Sequence, residues 1–182
     1  MSEKVVVITG ASAGIGAAVA DLLAKRGISL VLVARRKNEL EAVAARCGVR
    51  ALPVVADASR RADVRRVVDE AIARFGHIDV WINNVGQGIT RSPSQLTDED
   101  IDGVMQVNVK SALYGMQEVL PHFKARNAGL VINVSSMLGR VPFAVIRSAY
   151  CGAKHFLNAL TATFRAEVQQ THPNIQYALV SP

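Results

Sequence analysis

Short, unbroken apolar runs alternate along this chain with longer stretches in which apolar residues return every three or four positions. Val5-Val6-Val7-Ile8 and Leu30-Val31-Leu32-Val33 are of the first kind; Val64, Val67 and Val68, set among Arg60, Arg61, Arg65 and Arg66, are of the second. A run apolar at every residue suits a strand buried on both faces of a parallel sheet, and the longer rhythm suits an amphipathic helix. The pattern predicts strands at 4–9, 28–34, 51–56, 78–83, 129–135 and 175–181, with helices at 14–26, 37–46, 60–75, 98–126 and 148–171. Such alternation implies an α/β fold, a three-layer doubly wound parallel sheet. Right-handed crossovers and a glycine turn after the first strand favour the strand order 3-2-1-4-5-6, with ligands at the carboxyl ends where the order reverses. The loop from Gln87 to Asp100 is polar and ends in Thr97-Asp98-Glu99-Asp100, a helix-start signal. Repeats and low-complexity linkers are absent from the sequence.

Composition narrows the class. With 182 residues, 50% of them hydrophobic, and a mean hydropathy of +0.22, the chain reads as a single domain over 1–182 with one good core. No apolar run approaches the length of a membrane helix and no signal peptide precedes the first strand, so a cytoplasmic protein without a membrane partner is expected. Cys47 and Cys151 lie far apart and read as free thiols; Cys151 has no histidine or aspartate placed to activate it, which makes a packing role the better reading. The net charge of +6 raises the question of nucleic acid. The densest basic segment, Arg60 to Arg66, has helical spacing and no aromatic platform, so it reads as a solvated face, and no nucleic-acid partner is expected. The charge instead favours anionic cofactor or substrate. His77, His122, His155 and His172 lack metal-ligand spacing, so no metal is expected.

Candidate chemistry starts at the glycine turn. Thr9-Gly10-Ala11-Ser12-Ala13-Gly14-Ile15-Gly16 follows the first strand and opens a helix. Glycines permit close backbone approach there, and the free NH groups and dipole of the helix start favour a pyrophosphate. Glycines also end strands without binding anything, so the turn alone decides little. The second feature is Tyr150 and Lys154, four apart and therefore on one face of a helix. A phenol with a pKa of about 10 is a poor base at neutral pH. A cation roughly 5 Å away, at an effective dielectric of about 20, would favour phenolate by about 3 kcal/mol, or about two pKa units. In isolation such a pair is more often two residues of a solvated face.

These two features, together with Asn83-Asn84-Val85-Gly86, Asn108 and Asn133-Val134-Ser135-Ser136, give a series of motifs that resembles the short-chain dehydrogenase/reductase family from Lys4 to Pro182. The resemblance implies a Rossmann-type fold and an enzyme that transfers a hydride between a nicotinamide and a ketone or secondary alcohol. It assigns Tyr150 as general acid and base, Ser136 to the substrate oxygen, and Lys154 to the tyrosine and the nicotinamide ribose. Asn108 would hold a water linking Lys154 to solvent; its alternative is a helix-distorting asparagine with no proton role. Gly10, Ser12, Gly14, Ile15 and Gly16 would meet the cofactor at the glycine turn, Asp57 with Ala58 at the adenine, and Pro182 at the far end. Asn84 and Gly86 would shape the cleft, although the family's usual alanine is Val85. Strand alternation points Ser135 and Ser136 to opposite faces, which leaves one of them for the cleft. The step from Ser136 to Tyr150 is one residue longer than the commonest family arrangement.

Cofactor choice is read at the end of the second strand. An acidic residue there would bind the adenosine ribose hydroxyls and repel a 2′-phosphate, but the position is Ala34, followed by Arg35 and Arg36. Charge-assisted contacts to a 2′-phosphate favour NADP(H), with NAD(H) still usable; both arginines could also be ordinary surface charges. The loop from Met137 to Arg147 should line one wall of the substrate cleft and is mostly apolar, although Leu138, Val141 and Phe143 could equally pack under it or at a subunit contact. The expected partners are thus a small carbonyl or alcohol substrate and, by the family's habit of associating through its two long helices, a second copy in a homodimer or homotetramer. Resembling enzymes continue past Pro182 with a substrate lid and a seventh strand, so the chain reads as C-terminally truncated relative to the family, with an exposed sixth strand. The alternative to an enzyme is a dinucleotide-binding or interaction module without turnover.

Overall fold

The β-branched runs lie side by side in one parallel sheet. The computed structural model describes residues 4–141 and 144–182, and within them strands β1 (Val5–Thr9), β2 (Ser29–Ala34), β3 (Ala51–Val55), β4 (Val80–Asn83), β5 (Gly129–Val134) and β6 (Ile175–Val180) stand in the order β3-β2-β1-β4-β5-β6. This is the order expected from the sequence. The helices α1 (Gly14–Ala24), α2 (Lys37–Cys47), α3 (Arg61–Phe75), α4 (Asp98–Met105), α5 (Ser111–Arg126) and α6 (Ser148–Gln169) cover its two faces. Alternation along the strands explains why the runs are apolar throughout. Val6 and Ile8 of β1 and Leu30 and Leu32 of β2 pack with Ala20 of α1 and Leu40 of α2, whereas Val7, Val31 and Val33 pack with Val67 of α3 and Val119 and Phe123 of α5. Among the described residues β6 pairs only with β5 and forms the outer edge.

One predicted element divides. The helix expected over 98–126 is α4, a π-helical stretch Gln106–Lys110, and α5. The Thr97 start signal works as read: the Thr97 hydroxyl accepts from Asp100 N at 3.2 Å and the Asp100 carboxylate accepts from Thr97 N at 3.1 Å. The departure is at Asn108, whose side-chain amide donates to Val104 O at 3.0 Å and to Gln87 O at 2.8 Å and accepts from Gln87 N at 3.1 Å. An asparagine that bonds the backbone in this way competes with the regular helical ladder, and the wider i→i+5 turn accommodates it. The other boundaries differ from expectation by a residue or two.

A buried polar chain ties the sheet to the helices behind it. Trp81 Nε1 donates to Asn83 Oδ1 at 2.7 Å; Asn83 Nδ2 donates to Asn133 Oδ1 at 2.8 Å and Ala112 O at 3.2 Å; Asn133 Nδ2 donates to the Thr161 hydroxyl at 2.8 Å. This joins β4 and β5 to α5 and α6 through side chains buried from water. Gly115 permits it, because a Cβ there would lie 2.2 Å from Asn83 Oδ1. Asn83→Ala would take from the Trp81 donor and from Asn133 Oδ1 their partner in the core, and a loss of about 2–4 kcal/mol in denaturant unfolding is expected.

Candidate active site

The carboxyl ends of β1, β2 and β4 enclose a cleft of about 460 Å³ at the point where the strand order reverses. Its floor depends on a close approach. A Cβ on Gly16 would stand 2.3 Å from Gly10 O and 2.7 Å from Asn84 Nδ2, so the first turn of α1 can lie this near β1 only with glycine. Gly10 (φ 71°) and Gly14 (φ 58°) take the left-handed conformation that turns the chain into the helix. Asn84 fastens the turn from the other side, donating from Nδ2 to Thr9 O and Gly10 O, each at 3.2 Å. The N-cap of α1 is Ala13, with no side chain to occupy the helix's first NH groups. Gly10, Ser12, Ile15, Arg35, Arg36, Asp57, Ala58, Asn84 and Gly86 all line the cleft, while Gly14 and Gly16 shape it from beneath. The crowded backbone and uncapped helix start fit a dinucleotide's phosphates.

Charges on the rim are already partnered. Arg35 Nη1 lies 3.9 Å from Asp57 Oδ2, and Arg36 donates from Nη2 to the Ser12 hydroxyl at 3.0 Å and sits 3.4 Å from Glu39 Oε1. Burial alone would raise the Asp57 carboxyl, but hydrogen bonds from the Ser59 hydroxyl (2.7 Å) and backbone NH (2.9 Å), with Arg35 and Arg60, hold it below the ordinary carboxylate range.

A second pocket, of about 270 Å³, shares Ile15, Asn84 and Gly86 with the cleft and holds Ser136, Tyr150, Lys154 and Pro182. Here the chain distinguishes its two serines. Both line the pocket, but Ser135 is buried with its hydroxyl donated to Asn158 Oδ1 at 2.5 Å, whereas the Ser136 hydroxyl caps the short turn Met137–Gly139 by accepting from Leu138 N at 3.2 Å. Pro182 O accepts from Met137 N at 3.0 Å, so the end of β6 steadies the turn that follows Ser136. Tyr150 is half-buried and Lys154 only 2% exposed, with Nζ 5.6 Å from the tyrosine ring centre and donating to Val134 O at 2.9 Å. Burial pushes the Lys154 ammonium down to about 8. Asn108 stands near but apart: a Cβ on Gly86 would lie 3.1 Å from Asn108 Oδ1 and 3.4 Å from Lys154 Nζ, so both groups converge on that glycine.

Several of these features escape the sequence reading. Leu138 and Val141 do not line this pocket, and Phe143 lies outside the described residues. Arg147, the last residue of the loop expected to form a cleft wall, does line it, one turn before Tyr150, though no role was read for its charge. Asn158, which holds Ser135 and donates to Gly139 O at 2.9 Å, carries no comparable signal. Among the described residues no group of three or more His, Cys, Asp or Glu side chains could hold a metal, and no helix is long and apolar enough to cross a membrane.

The sequence pattern of the family described as short chain dehydrogenase matches residues 4–182. An uncharacterized oxidoreductase of Staphylococcus saprophyticus is 35% identical over 183 residues, which take in 100% of this chain and 74% of that protein. The structure of a 3-ketoacyl-(acyl-carrier-protein) reductase from Brucella melitensis complexed with NADH matches with a TM-score of 0.92 at 31% identity, over 100% of this chain and 76% of its own. That of a metagenomic short-chain oxidoreductase in complex with NADP matches with a TM-score of 0.90 at 32% identity, over 98% and 81%. The chain spans 66% to 81% of the length of such solved structures. A family match running over nearly every residue, on a sheet wound with its cleft at the switch point, makes this chain a member of the short chain dehydrogenase family of oxidoreductases.

Proposed function

We propose that this chain uses NADP(H), in preference to NAD(H), to interconvert a ketone and a secondary alcohol. The observation that carries the reading is the convergence of Ser136, Tyr150 and Lys154 in a pocket continuous with the dinucleotide cleft. Ile15, Asn84 and Gly86, which the two pockets share, would hold a nicotinamide, whose chemistry would be to supply or accept the hydride. Ser136 orients the substrate oxygen and donates to the charge that develops on it. Tyr150 gives its proton to that oxygen in reduction and takes it back in oxidation. The Lys154 ammonium, with little water around it, favours the phenolate left after the proton departs. Asn108 would hold a water between Lys154 and solvent in this reading; its amide is engaged by the Gln87 and Val104 backbone, which equally suits the alternative of a helix-distorting asparagine with no proton role. Related structures hold NADH or NADP, so the preference rests on Arg35, with Arg36 beside it, at the adenosine end. Arg35 must exchange Asp57 for a 2′-phosphate, which is feasible because the 3.9 Å pair is exposed and weak. A second copy would dock on the apolar groove of Ile101, Met105, Ala149 and Gly152, where α4 meets α6.

Titration with NADPH and NADH, followed by assay on a panel of ketones, tests the reading; tight binding of neither, or turnover of none, would count against it. Tyr150→Phe is expected to lower kcat by about a hundredfold or more while NADPH fluorescence titration shows binding kept within a few-fold. Arg35→Ala is expected to cut the ratio of NADPH to NADH affinity by about tenfold. Lys154 gives a pH signature. Its folded value of about 8 lies below the usual 10.5, so its charged form opposes folding; that penalty is full below pH 8 and disappears as the pH rises to 10.5. Wild-type stability relative to Lys154→Met should therefore climb by about 1–3 kcal/mol over that window in pH-dependent denaturant melts.

A further inference from the structure

Arg147 is a cation in the catalytic pocket that the hydride transfer above does not use. It closes the single turn Val145–Arg147 and caps the start of α6. Two backbone hydrogen bonds fix this turn, Arg147 N to Ala144 O at 2.9 Å and Arg91 N to Ile146 O at 3.0 Å. The guanidinium lies across Gly88, where a Cβ would come within 2.3 Å of Nη1. Gly88 is not among the glycines with positive φ, and the bare backbone there lets the movable end of the Arg147 side chain lie against it.

The surroundings leave this cation without a counter-charge. No carboxylate lines the pocket, and no hydrogen bond or ion pair engages the Arg147 side chain among the described residues. Arg91, by contrast, is closed onto Asp100 at 2.9 Å, and Lys154 already donates to Val134 O. A guanidinium is always charged, and one held half-buried without a partner loses hydration that nothing among the described residues replaces. An anionic oxygen pair brought by a ligand would replace it, and the planar fork of the guanidinium suits a carboxylate through two parallel hydrogen bonds. The positive net charge of the chain would help draw such a ligand in.

We propose that Arg147 receives the carboxylate of an oxo acid, so that the carbonyl compounds preferred by this pocket carry an acid group on the same small molecule. The proposal rests on the reading of the pocket as a carbonyl-reducing site. It makes Arg147 a specificity-determining residue and Gly88 the position that makes room for it.

The test assays the 182-residue chain with NADPH on α-, β- and γ-oxo acids, each beside its methyl ester. For at least one pair, kcat/KM for the acid is expected to exceed that for the ester by about tenfold or more, and Arg147→Met is expected to bring the ratio close to one, through KM for the acid. Arg147→Lys should recover part of the ratio, since it keeps the charge and loses the fork. Calorimetric titration of the same acids, with and without NADPH, provides a readout independent of turnover: weaker binding to Arg147→Met supports the site, whereas equal binding, or none to the wild type, overturns it. Turnover of esters with no preference for acids overturns the role of Arg147 and leaves the reductase reading standing. Acid binding that depends on Arg147, in a chain that turns over no carbonyl, keeps the anion site and removes the reductase reading. A fall in NADPH affinity in Arg147→Met, with acid preference intact, would assign the arginine to the cofactor and overturn the proposal.

Discussion

The distance between Gly16 and Gly10 O governs both pockets. With no room for a Cβ at Gly16, the first turn of α1 sits directly over the end of β1, and Asn84 uses its amide to hold Thr9 O and Gly10 O from the side of β4. That clasp sets the shared wall of Ile15, Asn84 and Gly86 on which the cleft and the second pocket meet. From Gly86 the geometry runs on to Asn108 and Lys154, which approach the same small residue from α4–α5 and α6. A larger residue at either glycine would push apart groups whose use depends on being a few ångströms from each other.

The sheet and its order were legible because continuous β-branched runs have few other uses and because crossover handedness leaves few topologies. The alternation that was to leave one serine for the cleft was less decisive, since Ser135 and Ser136 both line the pocket and it is the bond to Asn158 that engages the Ser135 hydroxyl. The π-helical stretch could not: one extra residue in a turn leaves apolar spacing over 98–126 almost unchanged, and the group that stabilises it, the Gln87 backbone, is distant in sequence. The pairing of Arg35 with Asp57 was hidden for the same reason, because it joins the ends of two neighbouring strands. Arg147 stood in plain sight beside Tyr150, but its meaning depends on Gly88 and on the absence of a lining carboxylate, and both are facts of assembly.

The two pockets differ in how they treat charge. At the rim of the cleft, arginines and carboxylates are exposed, weakly paired and free to exchange partners with a ligand. In the second pocket Lys154 is buried and Arg147 half-buried, and among the described residues no acid lines the pocket to offset them. Electrostatic effects are stronger where water is excluded, so a modest number of charges there has more influence over chemistry than a larger number on the rim.

The turn after Ser136 is laced to β6, through Ser135 N to Val180 O and Met137 N to Pro182 O. The two bonds flank Ser136 on either side, so the backbone that presents its hydroxyl is held from β6 as well as from β5. The Ser136 pocket is therefore fastened through β5 and β6, while the cleft is lined from the ends of β1, β2, β3 and β4. Within one sheet the two pockets thus rest on different strands, so a substitution that disturbs the seating of one leaves the supports of the other in place.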